Sequence, residues 1–142
     1  MIPKYRGISV EPNDEEKWKY GYLIEDEKES FIINQVIESN EQYITIGSWD
    51  PVRPDTVSQS IGLYDKNGKE IFEGDILEVT DKHSWLEVVS YSQEKAMFVT
   101  EEINREFKVP EIPLYDLLDS TFLKFKVIGN IYEDPELLEV AE

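Results

Sequence analysis

The sequence predicts a mainly β protein in two parts: an N-terminal antiparallel meander over residues 1–55, then a second small β module over residues 56–142 with one short helix, the two sharing one core. Two observations carry that prediction. Apolar residues recur at period two in short runs, and glycine- or proline-bearing turn signals separate those runs.

Trp18, Tyr20, Tyr22 and Ile24 alternate with Lys17, Lys19 and Gly21, the pattern of a strand with one buried face. The charged run Glu25-Asp26-Glu27-Lys28-Glu29 is expected to turn the chain. Ser30 to Val36 is rich in β-branched and aromatic residues, and Gln42 to Ile46 alternates again, which completes a three-stranded meander. Between Gly47 and Ser60, Pro51 and Pro54 are expected to interrupt the ladder and mark a connection, tied down by Trp49, Val52 and Val57.

In the second part, Ile61 to Tyr64 leads into Asp65-Lys66-Asn67-Gly68-Lys69. Asn-Gly between apolar runs signals a tight hairpin, because a type I′ turn needs positive φ at both central residues. A further turn is expected at Glu73-Gly74-Asp75. Strands are expected over Ile76–Thr80, Trp85–Tyr91, Ala96–Ile103 and Lys124–Ile131, and a helix over Pro113–Asp119, where Leu114, Leu117 and Leu118 fall at helical spacing.

Composition narrows the function. The 142 residues carry 14 Lys and Arg against 31 Asp and Glu, a formal charge of −17. The acidity is spread, −6 through Glu70 and −11 beyond it. Such a chain repels phosphate backbones and anionic lipid and attracts basic proteins. There is no cysteine, so thiolate chemistry and disulfides are excluded and a cytoplasmic location is expected. No apolar run reaches the ~18 residues of a membrane span.

Candidate chemistry finds little support. Asp65, Asn67 and Gly68 superficially resemble a calcium loop, but Gly74 stands where the bidentate Glu would be needed, so a turn is the expected role. Glu73 beside Asp75, and Glu101 beside Glu102, read as solvated turn or strand charges. His83 has no second histidine with which to build a zinc site. There is no Gly-x-Ser-x-Gly elbow and no glycine-rich phosphate loop. Trp18, Trp49 and Trp85 are expected to pack in the core. Single-strand binding would need the fold to gather Lys17, Lys19, Lys66, Lys69, Lys82, Lys124 and Lys126 into one groove.

The run Pro54-Asp55-Thr56-Val57-Ser58-Gln59-Ser60-Ile61-Gly62-Leu63-Tyr64-Asp65-Lys66-Asn67-Gly68-Lys69-Glu70-Ile71-Phe72-Glu73-Gly74-Asp75-Ile76 resembles the YopX-like family of phage and prophage proteins. Tyr5-Arg6-Gly7 and Trp18-Lys19-Tyr20-Gly21 support the resemblance in front, and Val127 to Leu138 behind. Ser60 and Ile61 depart from it, standing where an aromatic and a threonine are common. The resemblance implies that the second module is a small SH3-like barrel, and it supplies no catalytic, cofactor or metal residues. The expectation is therefore a noncatalytic accessory protein without a cofactor, acting through protein contacts as a homo-oligomer. The alternatives are an acidic partner, or DNA mimic, for a basic DNA-binding protein, and a nucleic-acid-binding small barrel.

Overall fold

The computed structural model describes residues 4–103, 110–114, 116 and 123–139. They form antiparallel sheets with no closed barrel, and the chain divides into two compact units, Met1–Ser60 and Ile61–Glu142.

The first unit is built from β1 (Tyr5–Ile8), β2 (Trp18–Glu25), β3 (Ser30–Ser39) and β4 (Ile44–Val52) in the order β4-β3-β2-β1, and β1 also pairs with Ser58 and Gln59 at the start of β5 (Ser58–Tyr64). The meander is as expected. β1, however, is too short to announce itself, and β4 runs on through Pro51 to Val52 where an interruption is expected. Proline is tolerated there because β4 is an edge strand and owes no outward N–H. The Pro51 carbonyl accepts the Val10 amide at 3.2 Å, and Ser9 forms a bridge to Val52.

Alternation correctly groups Trp18, Tyr20, Tyr22 and Ile24 on one face of β2, but that face is not the buried one. Tyr20, Tyr22 and Ile24 are exposed, Trp18 is half-buried, and Lys19 is buried. The other side carries Ile32 and Val52, both buried, and Lys19 is held there by Asp14 at 3.0 Å and Asp50 at 3.9 Å. The hydrogen bond that Lys19 donates to the Asp14 carboxylate, opposed by burial, raises the lysine above its ordinary value, so it stays charged.

In the second unit, β5 continues through the Asp65–Lys69 turn into β6 (Glu70–Phe72). Then β7 (Asp75–Thr80), β8 (Ser84–Ser92), β9 (Met97–Glu102), β10 (Ile112–Pro113) and β11 (Lys124–Asn130) form a five-stranded sheet in the order β10-β9-β8-β7-β11. Its core comprises Ile61, Ile71, Leu77, Val79, Val89 and Leu114, with Trp85, Phe125 and Val127 packed against it. Leu114 and Asp116 are helical, and the rest of the expected Pro113–Asp119 helix lies largely outside the described residues. Ile131 belongs to the turn after β11 and not to the strand itself.

That turn is tightly specified. Asn130 Oδ1 accepts the amides of Tyr132 and Glu133 at 3.0 and 2.9 Å, and Asp134 Oδ2 accepts the Asn130 amide at 3.1 Å. The Asp134 carboxyl lies over the α-carbon of Gly129, where a β-carbon would collide with it. Gly129→Ala should therefore destabilise by about 2 kcal/mol, the scale of overpacking a filled site, readable as a lower urea midpoint at constant m.

Candidate functional site

The motif residues that look most chemical are used internally. Asp65 is buried, its Oδ1 accepting the amides of Asn67 at 2.9 Å and Lys69 at 2.8 Å while its Oδ2 accepts that of Val127 at 2.9 Å. Burial would raise this carboxyl, but the amides of Val127, Lys69 and Asn67 outweigh it and hold it below the ordinary value. Both oxygens face N–H donors, an arrangement for a turn and not for a cation. Gly68 takes φ +82 but Asn67 does not take positive φ, so the turn is not the type I′ expected; the Gly68 amide instead bonds the Asp65 carbonyl at 3.0 Å. Asp75 Oδ2 likewise accepts the Phe72 amide at 2.8 Å. Among the described residues no three His, Cys, Asp or Glu side chains could share a metal. No helix among them is long and apolar enough to cross a membrane.

His83 is exposed in its loop. Glu101 and Glu102 are half-buried on opposite faces of β9, and Glu102 lies across the ladder from Glu87. Glu87 is a site the sequence reading missed, although a glutamate inside Trp85-Leu86-Glu87-Val88-Val89 was the available signal. It is 3% exposed, and its Oε2 accepts the Trp85 indole N–H at 3.1 Å. Burial raises its pKa, the Trp85 and Thr100 contacts partly offset that, and Glu102 adds to it. A carboxyl raised in the fold contributes stability that is present below its unfolded pKa and is lost as pH rises through its folded one. Glu87→Gln should therefore stabilise at neutral pH, by on the order of 1 kcal/mol, the scale of one polar contact, and make little difference near pH 4. Equal midpoints for the two proteins at both pH values would contradict this.

The lysines form no clear groove. Lys19 is buried in ion pairs, and Lys126 meets Glu78 at 3.5 Å. Lys66 is drawn to the outer edge of β11, its amide bonding the Phe125 carbonyl at 3.2 Å. Lys124 and Lys126 lie on that strand, interleaved with the carboxylate of Glu78.

What the first unit leaves open is apolar. The register sets Tyr22 opposite Ile33 and Ile33 opposite Trp49, with Ile24 opposite Phe31, so one sheet face carries them all. Ile24, Phe31, Ile33, Ile46 and Trp49 line a hollow of about 250 Å³. A second hollow beside it reaches Tyr22, Val36 and Ile44. Phe31 and Trp49 meet edge to face, with centroids 5.4 Å apart. Trp49 is 56% exposed, contrary to the core role expected of it, whereas Trp18 and Trp85 are half-buried, Trp18 beneath the Arg6 guanidinium at 4.4 Å. No residue lining either hollow is charged.

Against known families, the model described as YopX protein matches residues 4–139. The chain belongs to the YopX family. A solved structure titled as the crystal structure of protein EF1440 from Enterococcus faecalis is 30% identical over 98% of this chain and 99% of that chain, with a TM-score of 0.60. No curated protein matches. The YopX match spans the turns clamped by Asp65, Asp75, Asn130 and Asp134.

Proposed function

We propose that this YopX-family chain is a noncatalytic phage or prophage accessory protein of the cytoplasm that works through protein contacts, assembling with further copies of itself through the open face of the first unit. The observation that carries the reading is an uncharged apolar face on a chain of charge −17. Tyr22, Ile24, Val36, Ile44, Ile46 and Trp49 are all exposed there. At about half exposure and ~200 Å² per large side chain they present roughly 600 Å², close to the ~800 Å² that each partner contributes to a standard interface. Two strongly acidic chains repel wherever carboxylates face each other, so a contact between copies is favoured where none do.

Within the same reading the second unit is an opened relative of an SH3-like barrel. The order β10-β9-β8-β7-β11 sets its last strand beside its first, as such a barrel needs, and leaves β10 as the strand that would close it.

Light scattering coupled to size-exclusion chromatography, at two protein and two salt concentrations, tests the assembly. A defined oligomer that survives high salt is expected, because apolar contacts do not screen. A monomer under every condition would overturn it. The acidity of the chain supports a second reading, a basic protein partner, which would instead give salt-sensitive capture.

A further inference from the structure

From residue 34 to residue 47 every residue is exposed, so the distal part of the β3–β4 hairpin projects as a two-stranded arm with neither face covered. The arm is not polar. Val36, Ile44 and Ile46 lie on the side of the apolar hollows, while Ile37 packs beside Gly47. A bare two-stranded ribbon is marginal in water unless a third strand or a packed face supports it.

β4 is also a terminal strand of its sheet, and among the described residues its outer edge is met near its end, at Pro51 and Val52. Edges left to solvent are ordinarily blunted by lysine, proline, brevity or a cover. The second unit follows that rule. β11 carries Lys124 and Lys126 and receives the Asp65 carboxylate and the Lys66 amide on its outer side, and β10 has two residues. The first six residues of β4 depart from it: Ile44-Thr45-Ile46-Gly47-Ser48-Trp49 contains no charge and no proline, which enter at Asp50 and Pro51, and the ladder to β3 there shifts register between Ile33 and Glu38.

Resting on the self-assembly reading, we infer that the outer edge of β4 pairs antiparallel with β4 of a second copy across a two-fold axis, making one continuous sheet from two first units. A second copy is the fitting occupant because a two-fold axis makes the edge its own complement, and because the uncharged stretch lets two acidic chains approach. The pairing also extends the apolar face past the seam, setting the open faces of the two copies side by side on one sheet, and the two-fold axis closes the edge contact.

The chain has no cysteine, which makes the test direct. Single variants Ile44→Cys, Thr45→Cys, Ile46→Cys and Ser48→Cys are compared with Glu94→Cys, in an exposed turn of the second unit. Paired antiparallel strands hold opposing Cα atoms ~4.5–5.5 Å apart, inside the disulfide range. Under mild oxidation, the position at the axis should cross-link at least tenfold faster than Glu94→Cys, with the rate falling steeply at its neighbours. Light scattering on each reduced variant separates the two failures. An oligomer in which no β4 position outpaces Glu94→Cys overturns the strand seam and leaves self-assembly standing, whereas a monomer overturns both.

Discussion

Asp65→Ala is expected to cost about 3 kcal/mol of folding stability, the sum left when amides lose a charged acceptor and the effects overlap. One carboxylate serves three amides, two inside its own turn and one on β11. Alanine leaves all three without it in a place that water reaches poorly. Asp65→Asn keeps one acceptor oxygen and should fall between. Urea unfolding followed by tryptophan fluorescence reads the difference as a shift in midpoint at constant m. The pH dependence has a definite sign. Because the folded pKa lies below the unfolded one, the contribution of Asp65 is complete above the ordinary aspartate range and fades as pH falls through the folded value. The Asn variant should therefore lose part of the acid-limb slope that the parent shows below about pH 4. A loss under 1 kcal/mol in the alanine variant would mean that the turn holds without its clamp.

On the proposed assembly through the open face, Ile24→Lys combined with Ile46→Lys is expected to give a folded monomer. These side chains are 52% and 38% exposed within one copy, so lysine removes little intramolecular packing, and the folding midpoint should move by less than ~0.5 kcal/mol, as for other surface substitutions. In an assembly the same positions are covered, and ammonium groups must be desolvated or must expel the partner. Dissociation weakened at least a hundredfold, about 2.7 kcal/mol by the affinity scale, would show as monomer mass at concentrations where the parent is associated. An unchanged mass would place the contact elsewhere on the chain.

Much of this fold is legible in the sequence because alternation needs only neighbouring residues. β2, β7, β8, β9 and β11 follow from apolar runs and β3 from its β-branched and aromatic content, and a turn at Asn67-Gly68 follows from its composition, although only Gly68 takes positive φ and the turn is therefore not the type I′ expected. Alternation says which residues share a face. It does not say which face is covered, and β2 shows the difference: Lys19 is buried because Asp14 and Asp50, from a loop and from another strand, converge on it. The start of β4 was expected over Gln42 to Ile46, but its continuation to Val52 was hidden by Pro51, which reads as a breaker until the strand is known to lie at an edge. The open face was within reach, since Trp49 and the uncharged Ile44–Trp49 stretch stand out in so acidic a chain. Treating each tryptophan by itself as core material obscured it. Glu87 was obscured for the opposite reason, because carboxylates are so numerous that one more inside an apolar run draws no notice.

The bond from the Val127 amide to Asp65 spans 62 residues. Its closure therefore waits for the ribosome. Until Lys124–Asn130 has emerged, the outer edge of β7 lacks β11, and one oxygen of the Asp65 carboxyl lacks its amide. A nascent chain stalled before that point carries an unpaired strand next to a finished meander, a species inclined to pair with its neighbours. Synthesis of the last strand is thus the step that commits the second unit to a solitary fold, and premature termination in the preceding stretch should yield insoluble product instead of a shorter, working protein.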